Sequence, residues 1–236
     1  MENIEDTIKF QINNNEAIIK NKELNNYIKF KLEKEDFTKE DLKNIDEIII
    51  DSKNIIEEHN EVYFDEIELF PNLKKISIRN LGISSKNMDL LKNIKFVEFE
   101  NCELWNLSKL KEVEQLIIIN SDIDNIEEIG LLNNLKDLHL INMKFDNYDI
   151  LKKITNLEKL TIKNIKEFSM SKIDFSLPIR YLSIEKIPNL NIDIISKYQK
   201  LEVLSVDRKE AKQFDKELDY LKEKGIRILL NDIYDF

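Results

Sequence analysis

Apolar residues recur along this chain in short alternating runs. In the run that begins at Leu135, the side chains of Leu138 and Leu140 share one side of an extended chain, because successive residues of a strand point to opposite faces. Ile141 lies on the other side with His139, where the pattern predicts contact with solvent. The sequence therefore places a large apolar residue on a face that has no obvious cover.

Seven such runs share apolar residues at their first, fourth and sixth positions. They begin at Leu73, Ile94, Val113, Leu135, Leu157, Ile179 and Leu201. The last four steps between these starts are equal, the first two are slightly shorter, and a weaker copy begins one longer step earlier, at Ile45. A fixed period of this kind indicates a repeat protein. A doubly wound α/β fold does not fit, because its βαβ units need about 30 residues or more.

The repeat resembles the leucine-rich repeat family, whose motif is L-x-x-L-x-L-x-x-N/C-x-L. Its step of about 22 residues is similar to the repeat length of the internalin class of bacteria. The resemblance covers residues 45–211. It implies one α/β solenoid domain, with a curved parallel sheet on the concave side and short helical or 3-10 turns on the convex side. We expect residues 1–44 and 212–236 to be caps, because stacked repeats leave apolar faces open at both ends.

At the N-terminal end, the pattern predicts a strand over residues 7–12 and a helix over 22–33. A second helix should begin after Thr38, which forms a capping box with Asp41. The first spacer, residues 52–72, is about six residues longer than the later period allows, and insertions in repeats map to loops. We therefore expect it to project from the solenoid.

At the C-terminal end, Phe214, Leu218 and Leu221 lie on one helical face. Gly225 follows in the position where a left-handed residue ends a helix. The run over residues 226–230 predicts a closing strand after it.

The chain departs from the family at the ninth motif position, where only Cys102 matches. Asparagine occupies the eighth position instead, at Asn80, Asn101, Asn120, Asn142 and Asn164. We expect these asparagines to serve the turn after each strand, since short amides tolerate left-handed backbone and bond to local groups. Cys102 is expected to be buried and structural.

The net charge of −10 argues against a nonspecific nucleic-acid binder and against an anchor on an anionic membrane, because both need a basic surface. No run approaches the roughly 18 apolar residues that cross a bilayer. The acidic start does not read as a signal peptide. Together with a single cysteine, these features predict a cytoplasmic protein without a membrane partner.

Catalytic and metal-binding patterns are missing from the sequence. His59 and His139 stand far apart along the chain, and three isolated glycines cannot form a phosphate loop or a nucleophile elbow. The acidic run 121–130 lacks the ligand spacing of a calcium loop. We therefore expect no enzyme activity, no cofactor, no metal and no small-molecule substrate.

Positions 3, 5 and 7 of each repeat should project from the concave face. We predict that the protein binds a protein partner there, through Phe96, Ile117, Ile119, His139, Ile141, Lys163 and Tyr181. An apolar centre with a polar and aromatic surround is how protein interfaces are built. Alternatively, the isoleucines simply suit a sheet face and cover each other. Two other functions stay open: self-assembly through the same patch, and surface adhesion if an export signal precedes this chain.

Overall fold

The computed structural model describes residues 17, 19–20, 22–52, 64–144, 148–166, 168, 175–187 and 190–231. The predicted strand over 7–12, His59 and most of the first spacer lie outside these ranges. The main strands are β1 (Glu47–Asp51), β2 (Lys75–Arg79), β4 (Phe96–Glu100), β6 (Gln115–Ile119), β8 (Asp137–Ile141), β9 (Lys159–Lys163), β10 (Tyr181–Glu185), β11 (Val203–Asp207) and β12 (Arg227–Asn231). Three two-residue strands complete the set: β3 (Gly82–Ile83), β5 (Glu103–Leu104) and β7 (Asp122–Ile123).

The main strands form one parallel sheet in which each strand pairs with that of the next repeat. Its order is β1-β2-β4-β6-β8-β9-β10-β11-β12, and β3-β5-β7 form a small second sheet. The predicted leucine-rich repeat solenoid is confirmed. The register is constant, so equal motif positions face each other on neighbouring strands, as in the pairs Leu138–Leu160 and Leu140–Ile162.

The core lies behind the sheet. The fourth and sixth motif positions are buried in every main strand from β1 to β11, and Leu138 and Leu140 have no exposed surface. The chain returns on the convex side through short helices and 3-10 turns, because each repeat is too short to hold longer ones. The helices are α2 (Ser85–Leu90) and α3 (Ile192–Ile195), and the 3-10 turns span Phe64–Leu69, Leu107–Lys109, Ile126–Leu131 and Tyr148–Lys153. In the described ranges, no helix has the length and apolar content that a membrane crossing requires.

Helix α1 (Lys22–Leu32) forms as predicted and packs against β1, with its own residues Leu24 and Ile28 buried. The capping box also forms: the Asp41 N–H donates to Thr38 Oγ1 at 3.3 Å, and the Thr38 N–H donates to Asp41 Oδ2 at 2.8 Å. In place of the expected second helix, the structure has a single 3-10 turn, Asp41–Asn44, whose N-cap residue is Glu40 rather than Thr38.

The C-terminal end follows the prediction closely. Helices α4 (Arg208–Ala211) and α5 (Asp215–Glu223) precede β12. Gly225 has φ +86°, and the Ile226 N–H donates to Leu221 O at 3.0 Å, so a left-handed glycine ends α5.

A ladder of asparagine side chains runs along the carboxyl ends of the strands. All five eighth-position asparagines have positive φ, between 46° and 59°. Each amide donates to the asparagine of the preceding repeat: Asn101 to Asn80 at 3.0 Å, Asn120 to Asn101, Asn142 to Asn120 at 3.0 Å, and Asn164 to Asn142 at 2.8 Å. The expected turn role is confirmed, and the side chains also tie neighbouring turns together.

The ladder has a direction, because every side-chain N–H donates toward the N-terminus. At that end Asn80 donates to Asp51 Oδ1 at 2.6 Å, so a carboxylate receives the positive end of the row of amide dipoles. After Asn164 the eighth position is Lys186, which keeps a positive φ of 52° without an amide. The carboxylate at the N-terminal end thus matches the direction of the aligned amides.

Cys102 is buried as predicted, with 3% of its surface exposed. Its thiol donates to Glu100 O at 3.3 Å and Ile78 O at 3.4 Å, while its N–H donates to Ser121 Oγ at 2.9 Å. Burial raises the pKa of the Cys102 thiol, which disfavours the reactive thiolate.

Asn120→Ala should destabilise the solenoid by about 2–3 kcal/mol, because it removes two ladder bonds and replaces asparagine, which tolerates left-handed backbone, with alanine, which does not. Asn120→Gly is the matched control: it loses the same amide but tolerates positive φ, so we expect a cost of about 1 kcal/mol. Urea unfolding measures both. Equal losses in the two variants would show that backbone strain plays no part.

Cys102 in the folded protein should react slowly with an aromatic disulfide reagent, because its thiol is buried and protonated. The labelling rate should rise with urea in parallel with unfolding, and fully denatured protein provides the maximum rate. One equivalent of rapid labelling in native buffer would contradict the burial of this side chain.

Candidate interaction surface

The predicted concave-face residues lie in three rows that cross the strands. In the row of seventh positions, Ile119 faces Ile141, which in turn faces Lys163. In the row of fifth positions, Ile117 faces His139. The register therefore brings together all three isoleucines, with the histidine and the lysine beside them.

Phe96 belongs to the row of third positions, where it faces Gln115. One strand spacing and two residues of rise separate it from Ile117, a diagonal of about 8 Å between Cα atoms. With 37% of its surface exposed, it is more open to solvent than the isoleucines. Phe96, Ile117, Ile119 and Ile141 together are called the isoleucine patch below.

The three isoleucines are half-buried rather than open, although the sequence predicted an exposed patch. Glu98 and Glu100 on β4 lie directly opposite Ile117 and Ile119 in the register of the sheet. The isoleucine patch is therefore an apolar surface bordered by longer polar side chains. That arrangement resembles the dry centre and polar rim of protein interfaces.

Tyr181 does not join this group. It lies in the row of third positions on β10, beyond Lys159, which it faces. Two strands and two residues of rise separate it from His139, its nearest neighbour in the predicted set, which places the two Cα atoms about 12 Å apart, against about 8 Å for Phe96 and Ile117. The structure thus brings six of the seven predicted residues together and leaves Tyr181 at the margin.

The acidic side of the patch is partly neutralised by one arginine. Arg79 Nη2 lies 3.3 Å from Glu98 Oε1, and Arg79 Nε lies 3.2 Å from Glu100 Oε2. Ser77 also donates to Glu98 Oε1 at 2.8 Å. Two carboxylates share one guanidinium, so this edge keeps a net negative charge.

On the opposite side, Lys163 is held by an ion pair. Its Nζ lies 3.0 Å from Glu185 Oε2, and Asn231 reaches across from β12 to donate to Glu185 Oε1 at 2.7 Å. The lysine therefore stands beside Ile141 with its charge already partnered. This position suits the rim of a binding surface better than its centre.

His139 is held by a second polar group, centred on Asp137. Its Nε2 lies 2.8 Å from Asp137 Oδ1, at an angle outside hydrogen-bond geometry. Gln115 Nε2 donates to Asp137 Oδ2 at 2.8 Å, and Lys159 Nζ lies 3.8 Å from the same oxygen. The carboxylate thus receives contacts from three neighbouring side chains. The imidazole lies beside Ile117, next to the isoleucine patch.

A carboxylate beside an imidazole also orients a general base in many enzymes. Here the two residues lie two positions apart on one strand, and His139 faces Ile117 on one side and Thr161 on the other. Within the described ranges, no three His, Cys, Asp or Glu side chains are grouped to hold a metal ion. The expected absence of catalysis stays a prediction.

Sequence reasoning missed two features of this face. Arg79 is absent from the predicted set, although the constant register places it opposite Glu100 and one diagonal from Glu98. Ile49 on β1, which is 39% exposed, extends the apolar positions of the face beyond the predicted set. Both follow from the register, which pairs equal motif positions.

Solved structures with similar folds include bacterial internalins and a bacterial leucine-rich repeat protein. Internalin C2 of Listeria monocytogenes has a TM-score of 0.59 at 16% identity, with 93% of this chain and 92% of that chain covered. The internalin InlF of the same species has a TM-score of 0.55 at 16% identity, covering 90% and 71%. A leucine-rich repeat protein of Leptospira interrogans has a TM-score of 0.52 at 17% identity, covering 82% and 52%.

No protein-family model and no curated protein matches the chain. The likeness at this identity concerns the fold alone.

Ile119→Lys should cost only about 1 kcal/mol of stability, because the side chain is half-buried on a sheet face and the new ammonium lies opposite Glu100. Leu140→Ala, on the core side of the neighbouring strand, should cost about 2–5 kcal/mol through the cavity it leaves. Thermal and urea unfolding of both variants test the assignment of faces. A loss in Ile119→Lys as large as that in Leu140→Ala would show that Ile119 belongs to the core.

Proposed function

We propose that this chain, which has an internalin-like leucine-rich repeat fold, is a protein-binding module that holds its partner on the concave face. The observation that carries the proposal is the isoleucine patch. Repeat solenoids present extended concave surfaces of this kind to their partners. The proposal concerns a protein partner, whose identity and class the chain's own residues do not specify.

The surroundings of the patch support this function. Hot spots of protein interfaces are apolar or aromatic side chains whose polar neighbours exclude water. Here five half-buried polar residues surround the isoleucine patch: Glu98, Glu100, Gln115, His139 and Lys163. Most of them are already fixed by contacts within the sheet, so binding need not order many flexible side chains. A cytoplasmic location stays a prediction.

Binding should fail when a charge stands at the centre of the patch. The tagged protein, its Ile119→Lys variant and a Leu131→Lys control are incubated with lysate of the source organism, and captured proteins are quantified by mass spectrometry. Leu131 is a suitable control because it is 55% exposed in a convex 3-10 turn, away from the concave face. We expect one or more proteins to be retained by wild type and control and reduced at least about tenfold by Ile119→Lys.

Equal capture by all three proteins would place the interface outside the patch. Light scattering of the purified chain separates binding from the alternative of self-assembly through the same patch: Ile119→Lys would then abolish an oligomer rather than the capture of another protein.

A further inference from the structure

Among the described residues, the last strand leaves one edge of the sheet open. In the described part of the chain, β12 pairs with β11 alone and ends the sheet. The Arg227 N–H donates to Glu202 O at 2.9 Å, which directs the backbone groups of Arg227 toward β11. Backbone groups of successive strand residues alternate between the two edges. Those of Ile228 and Leu230 therefore point away from the sheet.

The first strand is treated differently. Helix α1 packs along β1, and the Tyr27 hydroxyl donates to Glu47 O at 3.2 Å. The solenoid thus covers one edge with a helix and a side-chain donor, while its other edge ends in a strand. The two ends of the same sheet therefore differ in how their edges are covered.

The open end is also apolar. Ile228 and Leu230 continue the buried rows of Leu204 and Val206 on the neighbouring strand, yet Ile228 is half-buried and Leu230 is 43% exposed. Natural sheets usually protect an edge with charges, prolines or bulges. In β12 the single charge is Arg227.

We propose that the β12 edge pairs with the β12 edge of a second copy of this chain, antiparallel around a two-fold axis at Leu229. In this register Ile228 faces Leu230 of the other copy, and Leu230 faces Ile228. These are the residues whose backbone groups point outward, so each pair exchanges two hydrogen bonds. The pattern of free donors and acceptors therefore complements itself.

The charges also favour a second copy in this register. Arg227 faces Asn231 of the other copy, so no like charges stand opposite each other. One strand further in the same row is Asp207, about 10 Å away across two strand spacings. Asp207 is a buried carboxylate that caps α4 by accepting from the Lys209 and Glu210 N–H groups. In the dimer, each Arg227 therefore lies near Asp207, at the carboxyl end of the strands of the other copy.

The axis stands perpendicular to the sheet, because Leu229 of both copies lies on the same face. Two concave surfaces then join into one continuous sheet with both isoleucine patches on the same side. A strand as short as β12 buries little area, so the dimer belongs to the class of weak, concentration-dependent interfaces.

Sedimentation velocity on the full chain tests the proposal. We expect a dimer at about 100 µM chain that dissociates on dilution, as weak interfaces do. Leu230→Pro removes one outward N–H but leaves the bonds to β11, and proline is tolerated at such edges. It should weaken the dimer at least about tenfold, whereas Leu230→Val, the matched control, keeps the N–H and should dimerise. Leu230→Lys replaces the proline variant if that one unfolds, and Arg227→Glu should weaken the dimer most at low salt.

The chain ending at Asn231 provides the decisive comparison. A dimer in both the full and the shortened chain supports the second copy as the occupant of the edge. A monomeric full chain with a dimeric shortened chain would assign the edge to residues 232–236 and overturn the proposal. A monomer in both the full and the shortened chain would also overturn the proposal. The same holds for a dimer that Leu230→Pro and Leu230→Lys leave unchanged.

Discussion

The left-handed turn that follows six consecutive main strands, from β2 to β10, is the constraint on which the rest of the structure depends. Each repeat gives the sheet one short strand and must then leave it within one or two residues. The eighth position adopts positive φ in six consecutive repeats, five of them with asparagine. Because every strand stops at the same position, neighbouring strands keep one register over the whole sheet. The asparagine ladder adds side-chain hydrogen bonds at the place where a slip of register would begin.

A constant register has a direct consequence for the concave face. Side chains at equal motif positions stand beside each other on neighbouring strands, so a charge acts on the repeats before and after it. Arg79 between Glu98 and Glu100, and Lys163 beside Glu185, show how opposite charges in adjacent repeats offset one another. The isoleucines occupy the stretch of the face between these two ion-paired groups. An apolar centre within a polar surround follows from this pairing.

The two ends of the solenoid pose the same physical problem and receive different solutions. The first strand has a helix against its outer edge, with a hydroxyl on its free carbonyl. At the last strand, α5 packs against one side of β12 while the outer edge continues the sheet without a cover in the described residues. Apolar side chains that every inner strand buries are therefore exposed at this end. The concave patch and the β12 edge are separate surfaces on one continuous sheet.

The sequence by itself determined the fold, because periodic burial of a few apolar positions admits one compact arrangement. It located Leu138 and Leu140 in the core, Cys102 in a buried position, and the asparagines in left-handed turns. It also placed Ile117, Ile119 and Ile141 on one face, since strand alternation and the repeat length fix that geometry. The sequence did not determine side-chain exposure or ion pairing. They depend on the lengths and rotamers of neighbours from other repeats, so only the tertiary structure decided that the isoleucines are half-buried, that Arg79 pairs with Glu98 and Glu100, and that Asn231 reaches Glu185.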